Sequence, residues 1–310
     1  MTAATPRSGI ALLVFAMAVF ATSFPLSVIA LRDFGPATVT FTRMLAAAAV
    51  LAFAARGGLG ALQGSIARVL VLGGLGLGVQ SWLLSYAMTH VGGTLPALVL
   101  GLEPIVIGLV GSLVVREHVG ARLSAAFALG VAGEAVIAGF VSSGATERPL
   151  LPLLALVTVV ALFSTYSVSL RRLAALPSAA VVCVASLGGA AAVVPMMIVE
   201  IVRGDAVQAV GSGPVTALVF ASIVSTGLGG LAWALALSRL RAAVAALGLY
   251  VVPLGGALAS HIGLDEPLYA RHAVGALIVV AAILLGGSRR RARLPAAPLP
   301  AAPRRGSGTR

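Results

Sequence analysis

Acidic side chains are scarce in this chain. Asp and Glu together number 9 in 310 residues, so the setting of each one carries information. Glu103 has the most suggestive setting. It lies about ten residues into a continuous apolar run, close to the middle of a membrane-crossing helix at about 1.5 Å rise per residue. Its neighbour Pro104 has no amide proton and weakens a helix locally. A carboxyl group and freed carbonyls would then share one polar point halfway across the lipid. An ionisable group in hydrocarbon is expensive and is a functional candidate by default. Glu103 suits a proton carrier or the anionic partner of a substrate ammonium group. The structural alternative is a protonated carboxyl hydrogen-bonded between helices.

Other charges sit at readable depths. Arg43 is roughly two turns from one end of its run, and Glu134 lies at similar depth in another. Arg43 has three options: to snorkel outward, to bind a substrate carboxylate, or to pair with Glu134 or Glu103 as a structural charge. Glu117 and Glu266 fall at ends of runs and read as structural helix-end charges or gate contacts. Gln80, Ser81, Trp82, Tyr86, Tyr166, Trp233 and Tyr250 lie inside runs. Aromatics with a polar tip suit a cavity that holds an organic molecule, and packing at the lipid interface is their alternative. The single cysteine, Cys183, lies in an apolar run and reads as a small buried side chain. No Cys/His cluster has metal-ligand spacing, and no cofactor is expected. The Gly73–Gly78 run sits in an apolar segment without a strand, so it reads as close-packing material rather than a nucleotide loop.

Hydrophobic residues make up 59% of the chain and charged residues 10%, against roughly 45–50% and roughly 25% in soluble domains. Such a chain cannot cover a water-facing surface, which argues against a soluble enzyme, a disordered protein or a nucleic-acid-binding domain. The apolar runs lack strand alternation and are helices. Ten spans are expected: 10–31, 36–55, 69–89, 93–115, 123–141, 150–170, 179–201, 215–237, 242–262 and 272–287. The first run is longer than a signal-peptide core of roughly 7–15 residues and reads as a retained span. All 21 basic residues are arginine. With ten alternating spans, 16 of them fall on one side and four on the other, with Arg43 inside a span. The arginine-rich side is expected to be cytoplasmic, carrying both termini. The lack of lysine, with abundant Ala, Gly and Arg, suggests a GC-rich bacterial source and hence the bacterial inner membrane. Residues 288–310 cannot bury a core and read as a disordered basic tail, with contact to anionic lipid as an option.

The second half repeats the first. Leu98-Val-Leu-Gly-Leu-Glu-Pro104 aligns with Leu247-Gly-Leu-Tyr-Val-Val-Pro253. At the same offset Glu117 meets Glu266, and Arg122 meets Arg271. Phe20-Ala-Thr22 echoes Phe163-Ser-Thr165. Five spans per repeat is an odd number, so the two repeats would lie in opposite orientations. That arrangement is typical of secondary transporters, in which one pattern used twice yields two packings, one open to each side.

These motifs resemble the drug/metabolite transporters of the EamA type, built from ten helices in two five-helix repeats. The resemblance covers residues 10–287. It is carried by Pro36 with Arg43-Met-Leu-Ala-Ala, by Leu102-Glu-Pro104 followed by Arg116-Glu117, and by Trp233-Ala-Leu-Ala-Leu-Ser-Arg-Leu240. Leu249-Tyr-Val-Val-Pro253 with Asp265-Glu-Pro267, and Gly275-Ala-Leu-Ile278, complete it. The first span departs from the family, with Ala21-Thr-Ser-Phe-Pro25 where members often show Trp-Gly-x-x-Phe. The resemblance implies an all-α membrane fold: residues 1–9 as cytoplasmic N-terminus, 10–141 and 150–287 as inverted repeats, and 142–149 as linker. It implies a cavity built from spans one, three, four, six, eight and nine. Ser23, Gln80, Trp82, Glu103, Tyr166, Trp233 and Tyr250 are then substrate-binding candidates, with Glu103 for proton coupling and Pro104 and Pro253 as hinges. The implied function is secondary transport, as export, of small organic metabolites such as amino acids, related metabolites or amphipathic drugs. The partners are that small molecule and membrane lipids, with no nucleic acid. An uncoupled facilitator, or an exchanger or uptake carrier, is the alternative. An intramembrane enzyme or scaffold is more distant, because neither a His-Glu-x-x-His helix nor a Gly-x-Ser-x-Gly elbow is present.

Overall fold

A computed structural model describes residues 6–91, 96, 99–114, 116, 119–137, 150–264 and 269–287. Glu117, Glu266, the linker, the tail and the first five residues lie outside them. The described residues are helical throughout, apart from short connections and one isolated bridge between Phe34 and Val207. In chain order the helices are α1 (Pro6–Ala30), α2 (Pro36–Ala55), α3 (Ile66–Val91), α4 (Glu103–Val114), α5 (Ala121–Ile137), α6 (Leu150–Arg172), α7 (Ser178–Arg203), α8 (Ser212–Arg239), α9 (Ala242–Leu264) and α10 (Ala270–Gly287). Among the described residues 7 helices are long and apolar enough to cross a membrane; the described parts of α4, α5 and α9 are shorter or broken. Large apolar side chains face outward, Leu113 and Leu277 at 73% exposure each. Water would penalise such a surface, and lipid satisfies it, because the helical backbone is bonded internally.

The two halves share local irregularities. Helix α3 carries a π-helical stretch at Gly74–Val79, and α8 carries one at Ala221–Gly229. Helix α9 runs Ala242–Ala246, tightens to a 3-10 turn at Leu247–Tyr250 and resumes at Val251. A turn at Gly101–Leu102 likewise precedes α4. Pro104 and Pro253 each sit in the first turn after the break. There the missing amide proton costs little, because that donor has no intrahelical partner anyway.

Helix packing repeats in the same way. Helix α1 lies on α8 and α9, while α6 lies on α3 and α4. Helix α3 lies on α7, and α8 on α2. Helices α2 and α7 form one close pair, and α5 and α10 another. Adding five to each label exchanges these contacts among themselves. Both close pairs are antiparallel. Along the first, the Cys183 thiol donates to Ala48 O (3.4 Å), and Glu200 meets the start of α2. Along the second, Arg122 Nε donates to Leu285 O (2.6 Å), and Gly133 packs against Val279.

The ends of the bundle differ. At one end Arg171 donates to Leu237 O and Ser238 O, Arg172 to Val114 O, and Gly9 packs against Arg239. The larger apolar core lies toward this arginine-rich end, around Ala16, Leu51, Val182, Leu237 and Ala245. At the other end the loop after α1 is bound to the loop after α7. Gly35 N donates to Ala206 O (3.0 Å), Gln208 N to Asp33 O (2.8 Å) and Gly211 N to Asp33 Oδ2 (2.8 Å).

Gly35 precedes α2 and has no side chain to cap it. Glu200 of α7 supplies the cap instead, accepting from Ala37 N (2.7 Å), Thr38 N (2.9 Å) and Thr38 Oγ1 (3.0 Å). A carboxylate there satisfies orphan amides and faces the positive end of the helix dipole. Glu200→Ala is expected to cost about 1–2 kcal/mol, read as a lower unfolding temperature of the detergent-solubilised chain. An unchanged melting curve would show that the cap contributes nothing.

Candidate functional site

A cavity of about 660 Å³ opens between the two halves. Helix α1 lines it with Phe20, Ser23, Phe24, Ser27 and Val28, and α3 with Leu77, Gln80, Ser81, Leu84, Ser85 and Met88. Arg43 enters from α2, Glu103 from α4 and Glu134 from α5. The second half supplies Phe163, Tyr166, Ser225, Thr226, Trp233, Leu249, Val252 and Pro253. The lining continues to Tyr269, Arg271 and His272, away from the arginine-rich end. At the opposite limit Trp233 is buried to 1% exposure, between Phe20 (ring centroids 6.5 Å apart) and Phe163 (6.3 Å, stacked). Its Nε1–H donates to Ser167 Oγ (3.3 Å). These rings form a floor over the apolar core.

Of the candidate residues, Ser23, Gln80, Glu103, Tyr166 and Trp233 come together on this cavity. Trp82 and Tyr250 do not line it. A helix turns by about 100° per residue, so the face with Gln80, Ser81 and Leu84 turns Trp82 aside. Trp82 instead neighbours Tyr86 (6.1 Å), which lies against His90 (4.2 Å). Tyr250 is directed toward α5, where its hydroxyl donates to Phe127 O (3.0 Å) and its ring covers Gly130. It braces α9 against α5. Pro253 lines the cavity, and Pro104 is buried beside Glu103.

Of the three options for Arg43, pairing with Glu103 or Glu134 is not what the described residues show. Arg43 Nε donates to Thr226 Oγ1 (3.0 Å), Nη1 to Ser27 Oγ (2.9 Å) and Nη2 to Ser23 Oγ (2.9 Å). Among the described residues neither Glu103 nor Glu134 forms an ion pair with it. Glu134 Oε1 is buried and has no hydrogen-bond partner among them. Ser27 and Thr226 were not foreseen as functional. Ser23 and Ser27 are one helical turn apart on one face, a spacing that could have shown a hydroxyl pair. Thr226 depends on the π-helical stretch, which composition does not announce.

The cavity thus contains a guanidinium, two buried carboxyl groups, several hydroxyls and aromatic walls, enclosed by helices from both halves. Such a concave, mostly apolar space with few convergent polar groups suits a small organic molecule. A curated relative from Streptantibioticus cattleyicolor, described as a probable terminal-alkyne amino-acid exporter, is 24% identical over 276 residues, 88% of this chain and 91% of that protein. A crystal structure with 21% sequence identity superposes with a TM-score of 0.77, covering 91% of this chain and 96% of the other, and shares the fold. The EamA-like transporter family matches residues 7–139 and again 150–286. With both halves matched and a cavity between them, this chain belongs to the EamA-like transporter family, a two-repeat membrane transporter.

Proposed function

We propose that the protein is a secondary exporter of small amino-acid-like metabolites, working by alternating access in the bacterial inner membrane. Ten crossings, two inverted five-helix repeats and cytoplasmic termini complete the reading. The antiparallel α2–α7 and α5–α10 pairs support inversion, because repeat-equivalent helices run in opposite directions. The clustering of arginines at one end supports cytoplasmic termini. The cavity carries the functional reading: it is lined by both halves, extends toward one end and is floored by aromatic rings at the other. The relative's description supports the substrate class.

In this reading Glu103 carries the proton, and the breaks before Pro104 and Pro253 are the hinges on which the halves re-pack. Arg43 and Glu134 supply the cavity's fixed polarity. Glu103→Gln keeps the shape of the side chain and removes its ionisation. In proteoliposomes, the wild-type chain is expected to move norvaline in counterflow and to accumulate it against a gradient when a pH gradient is imposed. The variant keeps counterflow and loses most of the pH-driven accumulation. Accumulation that is unchanged by the substitution over a pH series would remove Glu103 from coupling. Wild-type counterflow with no pH-driven accumulation would make the protein a facilitator or exchanger.

A further inference from the structure

The geometry of Arg43 carries a more specific statement about the cavity. A guanidinium has five N–H donors. Three are bonded, to Thr226, Ser27 and Ser23. Among the described residues one N–H therefore remains on each terminal nitrogen. Two of the three acceptors are fixed as acceptors by their own bonds. Ser27 Oγ donates to Ser23 O (2.7 Å), and Thr226 Oγ1 donates to Ala221 O (3.1 Å). Their protons are committed to backbone carbonyls, so their lone pairs face the guanidinium and hold it in place. None of the three partners brings a negative charge.

A half-buried cation whose hydrogen-bond partners among the described residues are all neutral hydroxyls is incompletely compensated. The planar fork of arginine matches a carboxylate in two parallel hydrogen bonds. An incoming carboxylate would therefore supply the missing counter-charge. Glu134 on the same cavity has the complementary deficit, a buried carboxyl oxygen with no hydrogen-bond partner among the described residues. A guanidinium short of acceptors and a carboxyl oxygen short of a donor thus belong to the wall of one cavity.

We propose that Arg43, fixed by Ser23, Ser27 and Thr226, is the carboxylate subsite of the cavity. The substrate is read as a zwitterion, its carboxylate on Arg43 and its ammonium group on the Glu134 side. The proposal rests on the transport reading above and deepens it, since a carrier of amphipathic amines would need no such subsite.

Four probes of similar chain length separate the charges: norvaline, norvalinamide, pentanoate and butylamine. Each is added to the full chain in detergent, and the thermal unfolding shift is measured. Each is also tested in proteoliposomes for counterflow. Norvaline is expected to raise the unfolding temperature most and pentanoate less, with no shift from norvalinamide or butylamine, because a ligand stabilises only the state it binds. Arg43→Gln is expected to weaken norvaline binding on the order of thirtyfold or more and to abolish the preference for norvaline over norvalinamide. Arg43→Lys keeps the charge without the fork and is expected to recover only part of the affinity. If Arg43→Gln does not fold, the wild-type probe series still decides.

Norvalinamide or butylamine matching norvaline in shift and counterflow overturns the subsite while leaving transport standing. So does an Arg43→Gln variant that keeps the wild-type preference. No shift and no counterflow with any of the four overturns the subsite and the transport reading together.

Discussion

Gly73→Val is expected to leave no folded protein. The backbones of α3 and α7 touch at this point. A Cβ on Gly73 would fall inside the contact distance of Ala185 O, and one on Gly188 inside that of Leu70 O. One on Gly78 would collide with Gly189 O in the same way. Helices in lipid gain no hydrophobic driving force from meeting, so close backbone approach through small residues is the main source of their attraction. A valine must push the two helices apart over their whole contact, because its neighbours are backbone atoms and cannot rotate away. The seam is also continuous with α2, since Met44 packs at Gly189. Separation would therefore open the cavity wall as well. Gly57 offers the control: nothing lies within 4 Å of its would-be Cβ, so Gly57→Ala is expected to stay within about 0.5 kcal/mol of wild type. Size-exclusion profiles and thermal unfolding in detergent compare the two. A monodisperse Gly73→Val protein with the wild-type melting temperature would show that the helices tolerate separation.

Much of this architecture was legible in the sequence because lipid imposes simple rules. A span needs length and apolarity, and both can be read from residues alone. The glycines of Gly73–Gly78 announce a close helix contact, and the partner helix, α7, emerges only in three dimensions. The repeat of Leu98–Pro104 in Leu247–Pro253 aligned the two prolines, and the structure has a helix irregularity just before each of them. The site was less legible, because facing is a matter of about 100° per residue. Trp82 and Gln80 are two positions apart, yet only Gln80 reaches the cavity. Tyr250 looked like a wall residue and serves as a brace between α9 and α5. A charged side chain such as Arg43 in a span suggests a charged partner, but hydroxyls from two other helices hold it instead. Hydroxyls are common in apolar helices and bond to their own backbone by default, so sequence alone does not distinguish Ser27 and Thr226 from their neighbours.

Trp233→Ala is expected to make the carrier leaky. The indole is the centre of the floor that separates the cavity from the arginine-rich end, with Phe20 and Phe163 on either side of it. Truncation to alanine removes the ring that both phenylalanines contact and leaves Ser167 without its donor. The stability cost of such a truncation is about 3–5 kcal/mol where the surroundings cannot collapse. Collapse is limited here, because the neighbouring Ala232, Ala234 and Ala236 are small and already buried. The space left behind would extend the cavity toward the far side of the membrane. The alternating access proposed above requires that one end stay shut while the other is open, so on that reading a thinned floor should admit solute and protons down their gradients. Trp233→Phe keeps a ring in the stack, loses the Ser167 hydrogen bond and part of the indole's volume, and should cost about 2 kcal/mol while remaining tight. Proteoliposomes loaded with norvaline and a pH-sensitive dye report both fluxes. Rapid proton leak and loss of accumulation in the alanine variant, with wild-type tightness in the phenylalanine variant, would identify these rings as the closed gate. Equal tightness in both would place the barrier deeper, in the alanine-rich core around Leu237 and Ala245.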